Sequence, residues 1–110
     1  MYGFNILNPY DMNKLQFTWD NKKNTINQTK HGISFEEAQT VFFDDYARLI
    51  PDQDHSEDEE RFILLGLSSQ LKMLLVCHCY REDGQTVRII STRKANKFEQ
   101  KQYKGFRYER

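Results

Sequence analysis

The stretch LKMLLVCHCYREDGQTVRIIST, residues 71–92, decides the fold. Its first half, Leu71 to Arg81, is the longest and most apolar strand pattern in the chain, which predicts a strand at the centre of a sheet. Asp83-Gly84 is a two-residue hairpin signal, because glycine accepts the positive φ such a turn needs. Thr86 to Thr92 is then the returning strand. This turn sets Tyr80 opposite Val87, His78 opposite Ile89, Val76 opposite Ser91 and Leu74 opposite Arg93. His78, Tyr80, Ser91 and Arg93 would share one face with Val76, Val87 and Ile89. Cys77, Cys79, Arg81, Arg88 and Ile90 would take the other. Neither face is cleanly polar, and a bulge would turn part of the pattern over.

Working outward, Arg61 to Leu67 reads as the preceding strand, joined through Ser68-Ser69-Gln70. Tyr46 to Ile50 is a further strand, stopped by Pro51-Asp52, and Asp52 to Glu60 is an acidic loop. Leu15 to Trp19 alternates as a short strand. Asp20 then fits the N-cap of a polar helix running to about Thr29, with Ile26 its sole aliphatic residue. Gly32 is placed to end it, behind Lys30 and His31. Ser34 and Glu37 form a capping-box pattern for a second helix, whose Phe35, Ala38, Val41 and Phe42 give it a buried side. Ala95 to Tyr108 is basic and aromatic, a C-terminal helix. The order is strand, helix, helix, four strands, helix. Tight turns between most strands predict an α+β fold: a small antiparallel sheet with helices packed mainly on one face. Residues 1–14 read as an irregular leader and 15–110 as one domain.

The chain has 110 residues, enough for a core without disulfides or a metal. Its formal net charge is zero, but the charge is segregated: Asp44 to Glu60 holds eight acidic residues against Arg48 alone, and Arg81 to Arg110 holds nine basic against four acidic. A basic patch attracts phosphate or an acidic partner, and an acidic loop also serves solubility. Cys77 and Cys79 lie two apart in a strand, where a bridge between them would be strained, so reduced thiols are expected. No apolar run reaches the length of a membrane span, and Met1-Tyr-Gly-Phe-Asn-Ile lacks the pattern of a signal peptide, so a cytoplasmic location is expected.

Several motifs occur in order from Phe17 to Ala95. They are Phe17-x-Trp19-Asp20, then Lys30-His31-Gly32-Ile33-Ser34-Phe35-Glu36-Glu37-Ala38, then Pro51-Asp-x-Asp54-His55-Ser56. Glu60-Arg61-Phe62 with Gly66, His78-x-Tyr80-Arg81 and Arg88-Ile89-Ile90-Ser91-x-Arg93-x-Ala95 complete them. Together they resemble the BrnT family of ribonuclease toxins from type II toxin–antitoxin pairs. The resemblance implies a RelE-like fold, RNA cleavage without a metal and inhibition of translation. It also implies a cognate BrnA-like DNA-binding antitoxin, through which alone the toxin would meet operator DNA, and no cofactor. Attack of a 2′-hydroxyl on the adjacent phosphate needs a base, cations for the phosphorane and an acid for the leaving oxygen.

For these roles the expected catalytic set is His31, Arg61, Arg93 and His78, with Lys30, Tyr80, Arg81, Arg88 and Ser91 contacting substrate. Each has a plainer reading. His31 suits a helix C-terminus electrostatically, and Lys30 is equally a solvated charge. The plainer reading of Arg61 is a salt bridge to Glu59 or Glu60, and that of Arg88 and Arg93 a structural ion pair. His78 fits a half-buried packing position, and Tyr80 either stacks on a base or packs. Asp52-x-Asp54-His55 has a metal-like spacing, but no second cluster completes a shell. Lys94, Lys97, Lys101 and Lys104 line one side of the last helix, suited to phosphate or to an acidic patch on an antitoxin. The alternative to an enzyme is a non-catalytic module that keeps the toxin fold and its antitoxin interface. A DNA-binding regulator is disfavoured, since no helix-turn-helix pattern is present.

Overall fold

The computed structural model describes residues 15–52 and 60–108. Among them, five strands form one sheet: β1 (Gln16–Thr18), β2 (Arg48–Pro51), β3 (Phe62–Leu67), β4 (Met73–Tyr80) and β5 (Thr86–Lys94). They lie side by side in the order β1-β5-β4-β3-β2, so the apolar β4 is the middle strand. Three α-helices accompany them: α1 (Asn21–His31), α2 (Phe35–Gln39), which tightens into a 3-10 turn at Thr40–Phe43, and α3 (Lys97–Tyr108). This is the expected α+β architecture. The sheet is mixed, because β1 joins β5 in parallel, from Gln16 beside Thr86 to Thr18 beside Arg88. That pairing spans most of the chain and has no local turn to announce it. The leader and most of the acidic loop, His55 included, lie outside the described residues.

The helix ends follow the sequence. The Asp20 carboxylate accepts from the backbone N–H of Lys22 at 2.8 Å and of Lys23 at 3.2 Å. Gly32 takes φ 74° and donates its N–H to the Gln28 carbonyl. Ser34 Oγ accepts from the Glu37 N–H at 3.0 Å. The Glu37 carboxylate turns inward instead of back to Ser34, accepting from Ser68 Oγ at 2.7 Å and facing Lys72 Nζ at 3.4 Å.

The buried side of α1 is polar. Ile26 is 62 % exposed, whereas Asn24 and Asn27 are buried. Asn27 Nδ2 donates to the carbonyls of Ile33 and Thr92, each at 2.9 Å, and its Oδ1 accepts the Thr92 N–H at 3.1 Å. Its amide thus pairs with the edge of β5 beyond the point where β1 stops. Replacing Asn27 by alanine strands those buried backbone groups, at roughly 1–3 kcal/mol for each left unsatisfied. A loss of about 3 kcal/mol is expected for Asn27→Ala in urea unfolding. A loss under 1 kcal/mol would show that the amide does not anchor the helix.

The two faces of the sheet carry separate cores. Ile33, Phe35, Ala38, Val41 and Phe42 pack on Leu64, Leu74, Val76, Val87 and Ile89. On the opposite face Tyr103 of α3 packs with Leu65, Leu75 and Ala95. Tyr103 donates its hydroxyl to Asp44 Oδ2 at 2.7 Å, and the same oxygen accepts the Leu67 N–H at 2.8 Å. Gly66 is required here, because a Cβ would meet Val41 Cγ1 at 2.8 Å and the Ala47 Cβ at 2.9 Å.

The β4–β5 pairing begins in the expected register, with Tyr80 beside Val87 and His78 beside Ile89. The register then shifts: Cys77 faces Ser91, Val76 faces Thr92 and Leu75 faces Arg93. Ile90 is the extra residue of a β-bulge. Ser91 and Arg93 consequently lie on the Cys77 face, not with His78 and Tyr80 as the unbroken ladder predicts.

Candidate active site

The face of the sheet opposite α1 and α2 is crossed by rows of side chains, because directly paired residues project to the same side. Arg88 on β5 is paired with Cys79 on β4. Continuing the β3–β4 and β2–β3 registers by one residue brings Arg61 level with Cys79, and Asp52 level with Arg61. The Asp52 N–H closes this end of the ladder on the Arg61 carbonyl at 3.0 Å. One row therefore reads Asp52, Arg61, Cys79, Arg88. The next reads Ile50, Ile63, Cys77, Ser91. Arg61 and Arg88 stand two strands apart, about 10 Å between their Cα atoms at about 4.8 Å per strand. Two guanidinium groups on stems of that length reach one phosphate between them. α3 packs at the Leu65–Leu75 end, about 13 Å along β4 from this row at about 3.3 Å per residue.

Cys77 is half-buried, and its Sγ lies 3.5 Å from Asp52 Oδ2. Burial, and then the neighbouring Asp52 carboxylate, push this thiol up to about 11, so it is protonated at neutral pH and donates to Asp52. Ser91 hydrogen-bonds to the same sulfur, and Arg61 is close enough to oppose the rise. Both cysteines are free thiols, as their spacing requires.

Of the residues picked from the sequence, this face holds Arg61, Arg88, Ser91 and Arg93. Arg93 stands at the far end, opposite Leu75, in a two-pronged pair with Glu99: Nη1 to Oε1 at 3.0 Å and Nη2 to Oε2 at 2.9 Å. Glu99 also forms a reciprocal cap with Asn96 at the start of α3. His78 and Tyr80 lie on the other face. His78 is 0 % exposed, with its ring against Phe42, Phe62 and Tyr80. Its Nδ1 sits 2.9 Å from the Val76 carbonyl, while Nε2 meets no hydrogen-bond partner among the described residues. Burial pushes its pKa down to about 4. Tyr80 is half-buried and its phenol is pushed up to about 12 by the same cause. Lys30 and His31 end α1, beside β5, with β5 and β4 between His31 and Arg61. Arg81 is exposed beyond β4, where its N–H bonds to the Thr86 carbonyl. Among the described residues no group of three or more His, Cys, Asp or Glu stands together to hold a metal.

Sequence reading missed Asp52 and Cys77 as members of this cluster. The signal is the strand period itself: Arg48, Ile50 and Asp52 alternate on one side of β2, and Asp52 continues that side one residue past Pro51.

A small mixed sheet with α1 and α2 on one face, and α3 and the Arg61–Arg88 row on the other, defines an α+β protein. The sequence profile of the family described as "Ribonuclease toxin, BrnT, of type II toxin-antitoxin system" matches residues 19–99, and the chain belongs to that family of toxins. No curated protein sequence matches the chain. Among solved structures it is similar to the Brucella abortus ribonuclease toxin BrnT, with a TM-score of 0.59 and 21 % sequence identity over 76 % of this chain and 99 % of that one. The likeness is one of fold. No helix among the described residues is long and apolar enough to cross a membrane.

Proposed function

We propose that this toxin cleaves single-stranded or messenger RNA on the Arg61–Arg88 row, without a metal ion and by attack of the 2′-hydroxyl on the adjacent phosphate. The observation that carries this reading is the shared row: two arginines, held by neighbouring registers, flank one position above the sheet. Their fixed positive charge answers the charge that develops on the phosphorane, and their forks match its oxygens. Ser91 contacts the substrate from the next row. Arg93 extends the basic face and would release Glu99 to do so. Arg81 stands beyond the row, as a contact for flanking nucleotides, and Lys30 and Tyr80 contact the RNA only where it passes round the sheet to the other face. His31 acts only if the RNA reaches around the edge of β5, and His78 only if the core opens.

The reading extends to the cell. The toxin works in the cytoplasm, a cognate BrnA-like antitoxin neutralises it, and any contact with operator DNA runs through that partner. The Arg93–Glu99 pair and the burial of His78 favour a second reading, a non-catalytic module that retains the antitoxin interface. One experiment separates the two. The purified chain is incubated in EDTA with an RNA of mapped cleavage site, and with the same RNA carrying a single 2′-deoxy nucleotide there. Cleavage of the first and not the second is expected. Cleavage of both, or cleavage only when a divalent metal is restored, would overturn the mechanism. No cleavage of either RNA under any condition would favour the module.

A further inference from the structure

The row supplies cations, and neither histidine among the described residues stands on it. We propose that Asp52 is the catalytic base: its carboxylate takes the proton of the attacking 2′-hydroxyl over the Arg61–Arg88 row. This rests on the ribonuclease reading given above and names a residue that reading left out.

Three observations converge on Asp52. Register places it at the end of the arginine row, level with Arg61 and bonded to it through the backbone at 3.0 Å. Its Oδ2 accepts from the Cys77 thiol at 3.5 Å, which fixes the direction of the carboxylate along the face. Ser91, turned onto this face by the bulge at Ile90, lies opposite Cys77 and hydrogen-bonds to its sulfur. A hydroxyl, a thiol and a carboxylate thus form one polar chain across β5, β4 and the end of β2. The thiol keeps its own proton at neutral pH, so it orients the carboxylate and does not compete as a base. A carboxylate accepts through two oxygens with two lone pairs each, so the bond from Cys77 does not by itself saturate it.

The step balances without a further co-reactant. The 2′ oxygen bonds to phosphorus as its proton passes to Asp52, and the bond from phosphorus to the 5′ oxygen breaks. The leaving oxygen takes a proton from solvent water, and Asp52 returns its own to solvent. The products are a 2′,3′-cyclic phosphate and a 5′-hydroxyl.

The test is Asp52→Asn, which preserves size and the backbone bond to Arg61. General-base loss is worth roughly 10²–10⁴-fold in rate, so kcat on the mapped RNA should fall at least 100-fold. The Kd for the uncleavable 2′-deoxy RNA should stay within about threefold or tighten. Asp52→Glu, which keeps the carboxylate, should recover activity well above Asp52→Asn, and circular dichroism should show both variants folded. Cleavage by Asp52→Asn within threefold of wild type would overturn the assignment. So would equal losses in Asp52→Asn and Asp52→Glu, or a fall in kcat matched by lost RNA binding, which would make Asp52 a holder of Arg61. Cleavage indifferent to removal of Arg61 and Arg88 sinks the site reading itself. Cleavage that needs the arginines but not Asp52 sinks only this inference.

Discussion

An Arg61→Ala, Arg88→Ala double mutant is expected to lose RNA cleavage by at least about 10³-fold while remaining folded. One preorganised donor to a developing oxyanion is worth roughly 10²–10³ in rate. The two guanidinium groups act on the same phosphate, so their losses do not simply multiply. The fold should survive. Both side chains project from the face opposite the larger core, which is built from Ile33, Phe35, Val41, Phe42 and the inward residues of β3, β4 and β5. RNA binding should weaken as well, and its dependence on salt should become shallower by about one phosphate contact. Gel assays of the mapped RNA, with fluorescence anisotropy across a salt series, measure all three. Cleavage within tenfold of wild type would remove the row from the active site.

The second large effect concerns stability, and it runs through His78. The folded protein holds this imidazole neutral, with a pKa near 4 set by burial, against about 6.5 when exposed. Between those values the unfolded chain binds a proton that the native chain does not, so stability rises with pH across the window. The contribution is fully present above about pH 6.5 and is lost as pH falls towards 4. At 1.36 kcal/mol per unit, the span amounts to about 3 kcal/mol. His78→Phe should flatten the profile between pH 7 and 4.5. The ring already lies among Phe42, Phe62 and Tyr80, and Nε2 contributes no bond among the described residues. Urea midpoints at the two pH values, for both proteins, decide it. A wild-type midpoint that does not move would contradict a neutral, buried His78.

The legible parts of this fold were those in which local chemistry is unambiguous. Asp20, Gly32 and Ser34 mark helix ends with groups that do one thing well, and they do it here. The run from Leu71 to Arg81 is too apolar to lie anywhere but the centre of a sheet. Gly84, at φ 71°, turns the chain as Asp83-Gly84 foretold, although the loop bonded across Arg81 and Thr86 is longer than two residues. The illegible parts each have a physical cause. Ile89 and Ile90 are both apolar, so alternation gives no sign of which residue is the extra one in the bulge. That ambiguity misplaced Ser91 and Arg93. Asn24 and Asn27 are buried because their amides meet backbone groups contributed by distant parts of the chain, which no helical periodicity reports. His78 had two plausible environments, and only the packing of Phe42 and Phe62 distinguishes them.

The site was half visible. Its arginines stood out because the motifs that resemble the toxin family, Glu60-Arg61-Phe62 and Arg88-Ile89-Ile90-Ser91-x-Arg93, carry them. Asp52 did not, because it was read with the acidic loop that follows it and not with the strand that precedes it.

The bulge at Ile90 has a consequence for how this chain can change over evolutionary time. Substitutions along β5 alter one side chain each. Deleting Ile90 would restore an even ladder and leave Ser91 opposite Cys77 and Arg93 opposite Leu75, whereas keeping Ile90 without the bulge would set it opposite Cys77 and turn Ser91 and Arg93 into the layer beneath α1 and α2. Relatives one residue shorter at Ile90 should therefore keep Ser91 and Arg93 on the same face as Cys77. A single-residue gain or loss between Ser91 and Arg93 has no bulge to absorb it and should turn Arg93 away from its pair with Glu99.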